Sequence, residues 1–216
     1  MKKILNHYID HTLLKADASS NDIIKLCKEA KKYHFASVCI NPSFIPLAKK
    51  YLKNTKVKIC TVVGFPLGQM TTKAKVFETI DAIENGANEI DMVLNVGKLK
   101  ENNLTYVKNE IIQIKKYCKT KILKVIIETC LLNKQQIIKA CQLAKKAKAD
   151  FVKTSTGFSV GGAKIEDVRL MRKTVGNKMG VKASGGVRSY QDALAMIKAG
   201  ANRIGTSNGI KIALGK

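Results

Sequence analysis

The sequence predicts an α/β fold, a single-domain (β/α)8 TIM barrel, on three observations. Eight short β-branched runs recur with starts roughly 21–33 residues apart. Most of the gaps between them hold a stretch of helical periodicity. No linker or low-complexity tract divides the chain, so residues 1–216 read as one domain. Alternating strand and helix units make a parallel sheet covered by helices, and eight of them close a barrel. The rival is an open doubly wound sheet, whose dinucleotide-binding form opens with Gly-x-Gly-x-x-Gly after the first strand. Nothing of the kind follows Ile9.

The elements run in order. The first strand is expected over 8–10. A helix over 19–33 follows it, opening on possible N-cap serines and placing Ile23, Leu26, Cys27 and Ala30 on one face. Strands over 36–40 and 57–63 come next. The helix expected over 71–85 carries Val76, Ile80 and Ile83 as a stripe and stops at Gly86. Strands over 89–93 and 122–127 precede a helix over 134–148. The last three strands fall at 150–153, 181–183 and 203–205, with a helix over 190–199 that stops at Gly200.

Composition excludes several classes. With 45% hydrophobic and 25% charged residues, the chain has the makings of a sizeable core and is not a disordered one. No stretch reaches the ~18 apolar residues of a membrane span. The start, Met1-Lys2-Lys3-Ile4-Leu5-Asn6-His7, lacks the apolar region of a signal peptide, so a cytoplasmic protein is expected, with no membrane partner. The six cysteines form no Cys-x-x-Cys pair and read as free, reduced thiols. His7, His11 and His34 supply no convincing zinc set, so no metal site is expected. The net charge is +23, but the lysines are scattered, only four arginines occur and aromatics are 6% with no tryptophan. Nucleic-acid binders cluster their cations, and single-strand binders add aromatic platforms. No nucleic-acid partner is therefore expected. A positive surface still attracts phosphorylated small molecules.

Barrels place their chemistry at the C-terminal ends of the strands. Polar residues in or just after the apolar runs are therefore the candidates. They are Asp10 and Thr12, Cys39 and Asn41, Asp91 and Asn95, Glu128 and Thr129, Lys153 to Ser155, Lys182 and Ser184, and Gly205 to Ser207. Lys153 ends the run Asp150-Phe151-Val152, and Lys182 follows Met179-Gly180-Val181. Lysine is almost never fully buried without a partner. Two ammonium groups on adjacent strands would each disfavour the other's charge, the help a lysine nucleophile needs. The alternative is that both snorkel to the rim or pair with carboxylates. Alternation puts Glu89 and Asp91 on one side of their strand. Asp91 beside a neutral lysine can pass protons, and beside a charged one it is a structural ion pair.

Glycine-bearing segments follow strands six, seven and eight: Thr154-Ser155-Thr156-Gly157, Ser184-Gly185-Gly186-Val187-Arg188 and Gly205-Thr206-Ser207. Barrels often bind phosphate with the loops after strands seven and eight, where glycine lets backbone N–H groups approach the oxygens. Each glycine also serves a turn. Residues 157–164 nearly spell a P-loop, but Ala163 stands where that motif needs lysine.

These segments resemble a known family. Ile9-Asp10-His11-Thr12-Leu13-Leu14, Val38-Cys39-Ile40-Asn41-Pro42, Val63-Gly64-Phe65-Pro66-Leu67-Gly68, Glu89-Ile90-Asp91-Met92-Val93, Phe151-Val152-Lys153-Thr154-Ser155-Thr156-Gly157 and Val181-Lys182-Ala183-Ser184-Gly185-Gly186-Val187-Arg188 are similar to the deoxyribose-phosphate aldolase family, as is Gly205-Thr206-Ser207. The likeness runs from about Ile9 to Ser207.

The resemblance implies a class I aldolase that needs no cofactor and no metal. It matches Lys153 to the Schiff-base lysine, Lys182 to a second lysine that lowers its pKa, and Asp91 to a proton-relay aspartate. It places Gly157, Gly185, Gly186, Arg188, Gly205 and Ser207 in or beside phosphate-binding loops. Asp10, Thr12, Cys39 and Thr156, in the matched segments, are expected to join the substrate site. A phosphorylated sugar is the implied partner and a homodimer the implied assembly. Some members end in a tail with a terminal tyrosine that assists proton transfer. This chain ends Leu214-Gly215-Lys216, so that contribution is expected to be absent or replaced. The competing readings are a Schiff-base aldolase for another phosphorylated sugar and a basic nucleic-acid-binding barrel.

Overall fold

The computed structural model describes residues 4–216; Met1, Lys2 and Lys3, on which the leader-segment reading partly rests, lie outside them. Eight strands pair in parallel in chain order: β1 (Ile9–Leu13), β2 (Ser37–Ile40), β3 (Lys58–Val63), β4 (Glu89–Val93), β5 (Ile122–Ile126), β6 (Phe151–Lys153), β7 (Gly180–Ser184) and β8 (Arg203–Thr206). β8 pairs back onto β1 and closes the barrel. Helices fill the crossovers, as the expected spacing requires: α1 (Ser20–Tyr33), α2 (Ile45–Tyr51), α3 (Thr72–Asn85), α4 (Val96–Lys100), α5 (Leu104–Cys118), α6 (Lys134–Lys146), α7 (Ile165–Val175), α8 (Tyr190–Lys198) and α9 (Gly209–Ala213).

Local chemistry starts the helices where the sequence places them. Ser19 with Asp22, Asn133 with Gln136 and Ser189 with Asp192 form reciprocal capping boxes. The Thr71 hydroxyl accepts from the Ala74 N–H. In α1 the buried face is Ile23, Leu26, Cys27 and Ala30, as expected. The α3 stripe differs. Lys75, Thr79 and Ala82 form its fully buried row, while Val76 and Ile83 are partly buried against the core. The Lys75 ammonium turns inward because three acceptors receive it: the Gly68 and Val93 carbonyls at 2.8 and 2.9 Å and Glu110 Oε1 at 2.8 Å.

Strand alternation sorts the core into two zones. Ile90 and Met92 of β4, Leu123 and Val125 of β5, and Val152 and Val181 of β6 and β7 belong to the main apolar core. The other faces carry charge into the barrel. Barrel interiors are normally filled by branched aliphatic side chains. Here Glu89, Asp91, Lys124, Lys153, Lys182 and Asp10 are all buried, and such charges persist only when paired.

Candidate active site

The interior charges form one network centred on Asp91. Its Oδ2 accepts from Lys153 Nζ and from Lys182 Nζ, each at 2.8 Å. Its Oδ1 accepts from Lys124 Nζ at 2.8 Å and lies 3.1 Å from the Cys60 thiol. Lys182 also holds Asp10 at 2.5 Å, and Lys124 holds Glu89 at 2.5 Å. Arg203 closes the lower side, 2.6 Å from Asp10 and 3.3 Å from Glu89. The Ser37 hydroxyl donates to Asp10 at 2.6 Å. Barrel register creates these meetings: Asp91 stands opposite Lys124, and Lys153 opposite Lys182.

Burial would raise the Asp91 carboxyl, but Lys124, Lys153 and Lys182 together hold it well below the usual carboxylate range. Burial likewise opposes the charge of Asp10, and Lys182, Arg203 and Lys124 outweigh it, again lowering the carboxyl. Lys182 and Lys124 are pushed up: burial favours their neutral forms, yet the carboxylates of Asp10 and Asp91 around Lys182, and chiefly Asp91 around Lys124, prevail. Both lysines are fixed ammonium ions. Cys39 sits at the same level, paired in register with Cys60, whose thiol draws that of Cys39 down to about 7 against its burial.

Three carboxylates thus face four cations, one positive charge in surplus. Lys124 and Lys182 each touch two carboxylates within 3 Å, and Arg203 touches two within 3.5 Å. Lys153 touches Asp91 alone among the described residues.

Above the network lies a cavity of about 270 Å³ at the C-terminal mouth of the barrel. Lys153 lines it; Lys182, Lys124 and Asp91 lie beneath. Of the residues singled out from the sequence, Thr12, Thr156, Gly157, Gly185, Gly186, Arg188, Gly205 and Ser207 line it too. Asp10 and Cys39 are fully buried below its wall. Gly157, Gly185 and Gly186 have φ of 86°, 84° and 82°, a backbone region that a side chain resists. Gly205 is required by closeness, since a Cβ there would stand 2.8 Å from that of Ser184 and 3.0 Å from Lys182 Cε. Larger grooves of about 580 and 630 Å³, the first adjoining this cavity at Thr12 and Ser207, reach none of the buried lysines.

Sequence reasoning passed over Lys124 and Arg203. The signal for Lys124 is the one that marked Lys153 and Lys182, a lone lysine inside an apolar run, Ile122-Leu123-Lys124-Val125. Two groups of possible metal ligands, Cys39 with Cys60 and Asp91, and Asp10 with Cys60 and Glu89, lie in the same network. Their carboxylates are already taken by ammonium and guanidinium groups, which compete with a metal cation for the same oxygens.

Residues 4–214 match the model of the family described as DeoC/LacD family aldolase. The chain belongs to this family of aldolases. It is 61% identical over 211 residues to the deoxyribose-phosphate aldolase of Finegoldia magna, covering 98% of this chain and 99% of that one. It is equally 61% identical to that of Streptococcus pneumoniae strain Taiwan19F-14 over 212 residues, 98% of this chain and 96% of the other. Among solved structures, a tetrameric deoxyribose phosphate aldolase from Aeropyrum pernix superposes with a TM-score of 0.91 at 34% identity, covering 97% of this chain and 89% of that chain. The expected barrel and the resemblance read from the motifs both stand. No helix among the described residues is long and apolar enough to cross a membrane.

Proposed function

We propose that Lys153 is the nucleophile with which this aldolase cleaves 2-deoxy-D-ribose 5-phosphate to acetaldehyde and D-glyceraldehyde 3-phosphate. The observation that carries the assignment is that Lys153, alone of the three clustered lysines, lines the cavity. Neutral Lys153 Nζ adds to the C1 aldehyde of the open-chain sugar, and loss of water gives an iminium. The C3 hydroxyl loses its proton, the C2–C3 bond breaks, and its electron pair passes into the C1–N iminium to form an enamine. Glyceraldehyde 3-phosphate leaves, C2 is protonated, and hydrolysis releases acetaldehyde and free Lys153. Asp91 Oδ2, 2.8 Å from Lys153 Nζ, together with Lys182 and a water in the cavity, takes the proton from the C3 hydroxyl, returns one to C2 and carries those at Lys153 Nζ. Lys182 meets the same Asp91 oxygen at 2.8 Å and is the second lysine of the pair.

The phosphate end belongs on the far wall, where Gly185, Gly186, Gly205 and Ser207 offer backbone N–H groups and Arg188 a guanidinium. No cofactor or metal enters these steps. The resemblance supports a homodimer, and exposed Leu67, Phe77 and Val160 supply apolar surface for self-association. Light scattering decides between a dimer and a tetramer like that of the Aeropyrum relative. Six cysteines without a disulfide suit the reducing cytoplasm, the proposed location.

The deciding experiment is borohydride trapping with acetaldehyde and mass spectrometry of the modified peptide. The adduct is expected on Lys153 and lost in Lys153→Arg, whose guanidinium stays charged. An adduct on Lys182 or Lys124 with none on Lys153 would reverse the assignment.

A further inference from the structure

We infer that Glu128 is a positioning residue that sets the phosphate-facing loop after β6, an inference that rests on the phosphate site proposed above. Glu128 follows the end of β5 and is 3% exposed. Its backbone is left-handed, with φ 53° and ψ 67°. A branched or long side chain avoids this region, and residues held there tend to mark a constraint tied to function.

Its carboxylate has no cation within ion-pair distance among the described residues. A buried carboxylate without a counter-ion needs strong hydrogen-bond donors. Here a single residue supplies most of them. The Thr156 N–H donates at 3.1 and 3.3 Å to the two oxygens, and the Thr156 hydroxyl donates to Oε2 at 2.5 Å. The same hydroxyl accepts from the Phe158 N–H at 3.1 Å. Glu128 therefore fixes Thr156, and Thr156 fixes the turn through Gly157.

That turn matters because Thr156, Gly157 and Phe158 all line the cavity that holds Lys153. No regular structure holds the loop between Lys153 and Ile165. Its other ties lie at its base, where Thr154 and Ser184 exchange hydrogen bonds and the Ser184 hydroxyl donates to the Ser155 carbonyl, and beyond the turn, where the Cys130 thiol meets the Ser159 hydroxyl, Phe158 packs edge-on against Phe65 and the Ala163 N–H donates to the Gly185 carbonyl. None of these hydrogen bonds reaches Thr156 or Gly157. Glu128 itself faces a second recess of about 280 Å³, sharing only Thr156 and Phe158 with the substrate cavity. It acts through Thr156 and not by touching the sugar.

The test is steady-state kinetics of Glu128→Ala and Glu128→Gln on 2-deoxyribose 5-phosphate and on unphosphorylated 2-deoxyribose, with inorganic phosphate as competing inhibitor. Glu128→Ala is expected to raise KM for the phosphorylated sugar and Ki for phosphate by about tenfold, the worth of one lost charged hydrogen bond. KM for 2-deoxyribose should change less than about twofold, and acetaldehyde trapping on Lys153 should persist, because the network lies apart. Glu128→Gln keeps one carbonyl oxygen for the Thr156 N–H and should recover part of the loss. Equal losses on both sugars, or no change in the phosphate Ki, would overturn the inference. Should Glu128→Ala not fold, Glu128→Gln decides alone by the same ratio. A wild-type enzyme that phosphate does not inhibit and that handles both sugars alike would instead sink the phosphate site itself.

Discussion

Removing the Asp91 charge tests the network as a unit. Asp91→Asn keeps shape and takes away the one carboxylate shared by Lys124, Lys153 and Lys182. Lys182 retains Asp10 and Lys124 retains Glu89, but Lys153 is left without a carboxylate. The surplus positive charge rises from one to two. Breaking a buried pair from one side costs about 3–5 kcal/mol, against a whole stability of roughly 5–15 kcal/mol. In a chain of this size that corresponds to a fall in Tm of about 6–20 °C. A second substitution sharpens the test. Lys124→Met in the same chain returns the surplus to one, and Glu89 still has Arg203. The double variant should regain more than half of the lost stability. The assay is thermal unfolding by circular dichroism at pH 7.5 for wild type, both single variants and the double, read as a cycle. Activity should be absent in Asp91→Asn and stay absent in the double, since the proton contact to Lys153 is gone. A double variant whose loss equals the sum of the singles within about 0.5 kcal/mol would refute the shared-charge account.

Gly186 has φ 82° and no atom within 4 Å of a built Cβ, so Gly186→Asn and Gly186→Asp share the backbone strain and differ in charge. Asp should raise KM for the phosphorylated sugar at least about tenfold over Asn and leave 2-deoxyribose little changed, and equal KM values would place the phosphate elsewhere. Chelation with EDTA should leave activity intact, because lysines and Arg203 occupy the carboxylates a cation would need; activity lost and restored by a divalent metal would overturn the class I assignment. Stability should depend on pH at both extremes. Asp10 and Asp91 are lowered from 3.8, so their contribution is complete above the ordinary carboxylate range and is lost as pH falls through the lowered values. Lys124 and Lys182 are raised from 10.5, so theirs is complete below that value and is lost as pH climbs through the raised ones. These four groups add no slope between about pH 5 and pH 9, and a thermal-melt series that shows no loss of stability on acidification below about pH 4 would contradict the pairing.

The barrel was legible in the sequence because its signals are local. Run spacing, capping residues such as Ser19 and Ser189, and the inward face of α1 depend on neighbours a few positions away. Lys153, Lys182 and Asp91 were legible as polar residues in or at the ends of strands, and the cavity collects nine of the thirteen residues that the family resemblance placed in the site. What the tertiary structure alone decided is who meets whom. Nothing in the sequence marked Lys75 as buried, and only the packing of α3 on α5 brought Glu110 to receive it. The strand positions left open whether Lys153 and Lys182 face each other or pair with carboxylates. The closed barrel set Asp91 Oδ2 between them and added Lys124, Asp10 and Arg203. Asp10 and Arg203 are 193 positions apart and adjacent only because β8 pairs with β1. A chain pattern tells which side of a strand a charge occupies. The register of eight strands and the closure of the ring set the distances, and in a buried site distance decides which charges survive.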